Sequence, residues 1–211
     1  MVYLPPAFTE TREDILLAHI ERHEFGLLVS HGAAGQTASH IPFLLERRDD
    51  RLILQGHLAR PNPLVADLDR GGEALAIFFG PHAYISPSWY TAGPAVPTWN
   101  YTAVHAYGEA HTIRDRGWLR DIVARLSERH EAREPTPPWR PQDLPDAFLT
   151  GMLNGIVGVE LTVNRLEGKF KLSQNRPAAD RPQIIDALDE REDADSRAVA
   201  RLMRERETPI A

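Results

Sequence analysis

The chain has 211 residues, a formal charge of -6 and no cysteine, which excludes disulfides, zinc-thiolate centres and iron-sulfur clusters. An acidic chain is a poor match for broad phosphate-backbone binding, which draws on clustered Lys and Arg, so direct DNA reading is not expected. No apolar run reaches the ~18 residues of a membrane span and Met1 to Pro6 lack a signal-peptide plan, so the expectation is a cytoplasmic protein away from membranes.

In chain order, Thr11 to His23 reads as an amphipathic helix with Thr11 as N-cap and Ile15, Leu16 and Ile20 on one side, where His19 is also a candidate. Strand-like runs follow at Phe25 to His31, Gln36 to Glu46 and Arg51 to His57, with short breaks at Ala33-Ala34-Gly35 and Arg48-Asp49-Asp50 that suit hairpins. Asn62 caps a short helix opening at Pro63 and closing near Gly71-Gly72, because proline tolerates the first helical position. Ala74 to Phe79 is an apolar run of a central strand, and Ala83 to Ser86 and Trp99 to Ile113 are further strands. Asp115 to Glu131 is an amphipathic helix whose arginines alternate with acids, the pattern of a solvated face.

Arg133 to Pro145 holds five prolines and reads as an irregular crossover. A short helix from Gln142 or Leu144 to about Leu153, a strand Ile156 to Arg165, a lysine-bearing segment and charged helices from Pro182 to Arg206 complete the chain. Consecutive, hairpin-linked strands favour an α+β fold built on a mainly antiparallel barrel with peripheral helices. The expectation is a single domain over 1–211 with a helical C-terminal extension at about 178–206.

Four groups of residues carry chemistry. Gly56 to Pro63 joins a strand end, Arg60 and a capped helix start, an arrangement suited to phosphate, although a solvated Arg60 beside an ordinary cap is the reading the residues alone favour, since Asn-Pro caps are common. Tyr84, Trp89, Tyr90, Trp99, Tyr101 and Tyr107 supply rings with polar handles for a planar ligand, a core or an interface, and Asn100 adds an amide able to donate and accept. Ser39-His40-Ile41-Pro42-Phe43 is a strand interrupted by proline, which belongs at an edge or a split in a sheet.

The fourth group contains the only two lysines, Lys169 and Lys171, in a chain that otherwise uses arginine. As a strand, the segment places Lys169, Lys171, Ser173 and Asn175 on one face and Phe170, Leu172 and Gln174 on the other. That first face suits an anion better than a core. Among nine histidines, His19 and His23 lie four apart without a third ligand, so they read as helix-surface residues, and no metal site is expected. His40, His57, His105 and His111 lie in or beside strands. Gly-x-Ser-x-Gly, phosphate-loop and Gly-x-Gly-x-x-Gly patterns are absent.

Phe79-Gly80-Pro81-His82-Ala83-Tyr84-Ile85-Ser86-Pro87-Ser88-Trp89-Tyr90, Val96 to Tyr101, Val104-His105-Ala106-Tyr107-Gly108, Lys169 to Arg176 and Gly56 to Pro63 together resemble the PaiB family. That family is described as FMN-binding negative transcriptional regulators. The resemblance runs from Met1 to about Met203 and implies a flavin-reductase-like split β-barrel, a homodimer with FMN at the subunit interface. It implies that Ser39, His40, Ile41 and Pro42 face the isoalloxazine, and that His57, Leu58, Ala59, Arg60 and Asn62 hold the ribityl phosphate. Trp99 and Asn100 would come from the second subunit, and Lys171, Ser173 and Gln174 would close the site.

Two functional classes follow. One is a flavoprotein, an oxidoreductase passing electrons from a reduced nicotinamide or another small donor, or a flavin sensor. The other is a repressor using FMN as a structural or sensing ligand, with no recognisable helix-turn-helix to read DNA. Haem binding or degradation through a pocket histidine is a third reading. No catalytic residue is named by the sequence.

Overall fold

The computed structural model describes residues 2–33, 35–91, 93–134, 136 and 138–207. The expected hairpin break at Ala34 and two of the crossover prolines, Pro135 and Pro137, lie outside the described residues. Among the described residues there are eight strands, β1 (Thr9–Glu10), β2 (Phe25–Gly32), β3 (Gly35–Pro42), β4 (Leu44–Arg48), β5 (Arg51–Ala59), β6 (Glu73–Ile85), β7 (Thr98–Ile113) and β8 (Ile156–Lys171), in the hydrogen-bonded order β3-β2-β6-β7-β8-β5-β4 with β1 paired to β8. By contact the chain forms two compact units, each assembled from separate stretches of sequence.

The larger unit comprises residues 20–78 and 105–166. In it β2 (Phe25–Gly32), β3 (Gly35–Pro42), β4 (Leu44–Arg48) and β5 (Arg51–Ala59) are joined by tight turns, with Asp49 in the left-handed region between β4 and β5. The run expected as one strand from Gln36 to Glu46 is two strands, because Phe43 leaves the ladder and donates its N–H to the Glu24 carbonyl at 2.8 Å. Up to Pro42 the chain pairs with β2; from Leu44 it pairs with β5 at the opposite end of the strand order. The proline break therefore rolls the sheet into a split barrel.

Two packing features hold the split. Phe43 is fully buried against Phe78, with ring centroids 5.4 Å apart. Gly56 passes beneath the end of β3 where any Cβ would lie 2.9 Å from the Pro42 carbonyl oxygen, so no side chain fits. Leu28, Leu54 and Leu161 complete the dry interior of this unit, each worth ~1.5–3 kcal/mol on burial.

Asn62 caps α2 (Pro63–Asp69) as the sequence predicts, its Oδ1 accepting from the Leu64 N–H. Asp115 does the same for α3 (Arg116–Glu131). Ile122 and Leu126 of α3 pack on Leu44, while Leu119 packs on Leu149 and Leu153 of α4 (Asp146–Asn154). The latter helix starts later than expected, after a single 3-10 turn at Pro141–Asp143 and the further proline Pro145.

The smaller unit comprises residues 1–19, 79–104 and 167–211. Three long strands, β6 (Glu73–Ile85), β7 (Thr98–Ile113) and β8 (Ile156–Lys171), have residues in both units. The separate strand expected at Ala83 to Ser86 is the end of β6. Its alternation of buried and exposed positions slips by one residue at Gly80-Pro81, the signature of a bulge. A Cβ on Gly80 would meet the Thr102 hydroxyl and the His19 ring.

The N-cap expected at Thr11 is not used. The helix α1 (Glu13–Arg22) starts two residues later, and the Glu10 carboxylate takes the Thr11 and Arg12 N–H groups instead. His19 is buried rather than on the helix surface, its ring 5.3 Å from that of Phe170. The expected C-terminal helices are α5 (Arg181–Asp189) and α6 (Ala194–Glu207), which bury Ile184, Leu188, Val199 and Met203.

Candidate functional site

The sequence-predicted residues fall into two groups, one in each unit. In the larger unit β3 is the terminal strand of the order, so one edge of its backbone carries no ladder partner. Ser39 and His40 sit on that strand before the break. The Ser39 hydroxyl accepts from Asn62 Nδ2 at 2.9 Å, tying the open edge to the start of α2. His40 is exposed and stacks on Phe25 at 6.1 Å between centroids; Ile41 is buried in the interior and Pro42 ends the strand.

The helix start uses its first backbone donors internally. Pro63 has no N–H, the Leu64 N–H serves the Asn62 side chain and the Val65 N–H serves the Asn62 carbonyl. Arg60 is also partly committed: Nε donates to the Asn154 carbonyl at 2.7 Å and Nη2 to that of Ile156 at 3.2 Å. A guanidinium has five N–H donors, so three of Arg60, the second amide proton of Asn62 and the Ser39 hydroxyl proton remain. These spare donors are of the type an anionic group takes.

Strand alternation places His57 on the same side of β5 as Gln55, whose amide accepts from Arg125 of α3. Its neighbour across the ladder, Gly158, exists because a Cβ there would enter the Trp118 ring. Burial lowers the pKa of His57 below the ordinary imidazole value, and its Nδ1 has no hydrogen-bond partner. Leu58 is buried on the opposite side and Ala59 is exposed at the strand end.

In the smaller unit Asn100 is fully buried, donating to Ser173 Oγ at 2.9 Å while Ser173 donates back to Oδ1 at 3.2 Å. The strand expected through Asn175 stops at Lys171. Ser173 takes a left-handed conformation with φ 63°, and the Gln174 side chain folds back onto the Leu172 N–H at 2.6 Å and the Phe170 carbonyl at 2.5 Å. The two-face reading therefore ends at Lys171, because this turn satisfies itself locally.

Lys171 donates to Thr98 Oγ1 at 2.5 Å and to the Trp99 carbonyl at 2.5 Å. Lys169 is buried and donates to the Tyr3 carbonyl at 2.7 Å. Around them lies an open aromatic face: Phe79 is 54%, Trp99 53% and Tyr84 38% exposed, linked through His82. Thr98 and Arg176 were missed as individual residues. Their signal was their place in the two motifs that also carry Trp99 and Lys171. Among the described residues no cluster of His, Asp and Glu is arranged for a metal ion, and no helix is long and apolar enough to cross a membrane.

Comparison with known proteins supports the same frame. The family model described as "Putative FMN-binding domain" matches residues 2–165. The chain is 32% identical to "Protease synthase and sporulation protein PAI 2" of Bacillus subtilis over 97% of this chain and 98% of that protein. Among solved structures, the conserved hypothetical protein Rv2991 of Mycobacterium tuberculosis superposes with a TM-score of 0.54 at 14% identity, covering 83% of this chain and 94% of that one. The flavocytochrome Anf3 of Azotobacter vinelandii gives 0.50 at 13%, covering 80% and 72%. These structural likenesses concern the fold. The sequence matches go further, and the chain belongs to the PaiB family of FMN-binding-domain proteins.

Proposed function

We propose that this protein binds FMN as a homodimer and works as a flavin-dependent oxidoreductase or flavin sensor. The observation that carries the reading is the Ser39 to Asn62 hydrogen bond, which ties an unpaired strand edge to a helix start two residues after Arg60. The phosphate fits there because the Ser39 hydroxyl, the remaining Asn62 amide proton and the free guanidinium donors are of the type a phosphate dianion takes. The open edge of β3 offers alternating N–H and C=O groups of the kind that suits a heterocycle edge. Trp99, Asn100, Lys171, Ser173 and Gln174 are proposed to complete the flavin environment in the dimer. In this chain Asn100, Ser173 and Gln174 bond mainly to one another and to backbone, which makes them supports for the strand end carrying Lys171.

When bound, FMN supplies the hydride or electron chemistry, and the protein's part is to hold and orient it. The DNA-directed role in the family's description is the alternative, and the acidic charge of -6 gives it no surface support. Equilibrium titration of the purified protein with FMN is expected to shift the flavin visible bands and quench its fluorescence at micromolar ligand. FAD and haem are the comparison arms. An unperturbed flavin spectrum at saturating FMN would sink the reading, and a haem Soret band in its place would transfer the site to haem. Sedimentation of the FMN-loaded protein should give twice the chain mass of 23.7 kDa; a monomer at micromolar concentration would remove the dimer from the proposal.

A further inference from the structure

Lys169, Lys171 and Arg176 lie along one short stretch of the smaller unit, and none of them has a carboxylate partner among the described residues. Their positive charge is instead met by neutral groups. Lys169 lies 5.3 Å from the Tyr3 ring centroid and 5.5 Å from that of Tyr101, Lys171 5.7 Å from Phe8, and Arg176 4.0 Å from Tyr90. The chain is not short of acids, with 30 Asp and Glu against 24 Lys and Arg. The nearest acid by register, Glu10, sits beside the Lys169 ladder pair and is already taken by Arg12 and Arg206.

A desolvated cation without a counter-ion is costly, and the usual solution is a pairing acid. Here the acid is withheld. Burial first, then the charges of Lys169 and Arg176, hold the Lys171 pKa below the ordinary lysine value, as expected for a cation whose opposite charge has yet to arrive. Beside the ammonium the chain exposes large rings: Lys171 is bonded to the carbonyl of Trp99, whose indole is 53% exposed.

We propose that Lys171, with Lys169 and Arg176 supplying the surrounding field and Trp99 and Tyr101 the ring contact, binds the carboxylate of a small aromatic acid. Lys171 makes the contact. Lys169 is buried and acts through its charge, and the Ser173-Gln174 turn holds the strand end in place. A bare phosphate is the poorer match, because it leaves the exposed rings without a partner. The placing of this acid on the substrate side of a flavin reaction rests on the FMN reading; the subsite itself does not.

The probe is 2-naphthoate, titrated by calorimetry into protein with and without saturating FMN, against 2-naphthalenemethanol as the neutral isostere and inorganic phosphate as the bare anion. The acid is expected to bind at least ~10-fold more tightly than the alcohol, the worth of one charge-assisted hydrogen bond. Lys171→Met should bring that ratio close to one, and Lys171→Arg should keep most of it. Flavin fluorescence reads FMN affinity separately, so a wild-type protein that prefers the acid but does not bind FMN would overturn the flavin reading alone. Equal affinity for acid and alcohol, an unchanged ratio in Lys171→Met with native circular dichroism, or complete displacement of naphthoate by FMN would overturn the subsite. A misfolded Lys171→Met leaves the wild-type acid-to-alcohol ratio and the Lys171→Arg variant as the deciding measurements.

Discussion

Asn62→Ala is expected to lower FMN affinity ~10–100-fold, because it removes donors to a phosphate where each charge-assisted hydrogen bond is worth ~1.5–3 kcal/mol. The same change deletes the cap of α2 and the tie to Ser39, which costs about 1 kcal/mol of stability. Two effects in one variant invite confusion, and Asn62→Asp separates them. Aspartate keeps an oxygen for the Leu64 N–H, so the helix stays capped and the melting temperature stays near wild type. It loses the donor to Ser39 and places a negative charge beside the phosphate, so FMN affinity should fall at least as far as in Asn62→Ala. Flavin fluorescence titration with thermal melts on both variants decides it. Wild-type FMN affinity in Asn62→Asp would move the phosphate away from this helix start.

Arg60 answers a related question. Its Nε and Nη2 bonds to the carbonyls of Asn154 and Ile156 show that the guanidinium stitches the end of β5 to the end of α4 as well as facing outward. An arginine read from sequence as a phosphate ligand can thus have a structural hold that fixes where its remaining donors point. Such a hold makes a better ligand, since less side-chain entropy remains to be lost on binding.

The residues that were legible in the sequence share a local cause. Asn62 before Pro63 and Gly71-Gly72 after α2 are read by their immediate neighbours, and the structure uses each as expected, whereas Asp115, read as the first residue of its helix, is the cap of α3. Pro42 was legible as a break but not as the point where the chain crosses from one end of the strand order to the other. That depends on Phe43 finding Phe78 and on Gly56 admitting the Pro42 carbonyl, contacts between residues far apart in sequence. The lysine strand failed for a similar reason. Period-two alternation predicts faces only while the ladder continues, and nothing in Lys171-Leu172-Ser173 announces that Gln174 will cap the turn. His19 stayed open between the apolar side and the surface because a single imidazole is compatible with either side of an amphipathic helix, and its burial is decided by Phe170 and Gly80.

Glu10 shows what the missed N-terminal cap does for the protein, and it sets the largest stability effect expected here. Its carboxylate is 5% exposed and receives the N–H groups of Thr11 and Arg12, the Arg12 guanidinium at 2.8 Å and the Arg206 guanidinium at 2.5 Å. Burial alone would raise its pKa; the hydrogen bonds from Arg12 and the charges of Arg206 and Arg12 win and lower it from 4.5 to about 2. A group depressed in the folded state contributes stability that is fully present above its unfolded value and is lost as the pH falls through the folded one. The shift from 4.5 to about 2 corresponds to ~3 kcal/mol, present at neutral pH and lost across that window. Glu10→Gln should therefore lower stability at pH 7 by ~2–3 kcal/mol, since it leaves two arginines without their acid. It should also flatten the acid limb, so that wild type and variant converge as the pH approaches 2. Urea unfolding at pH 7, 4.5 and 3 measures both, and parallel pH slopes for the two proteins would show that another carboxylate governs acid unfolding. Because Thr9 and Glu10 pair with Lys169 and Gly168, this ion cluster also fastens the strand that carries the lysines. Glu10→Gln is therefore expected to weaken the naphthoate preference at pH 7, where the probe stays ionised.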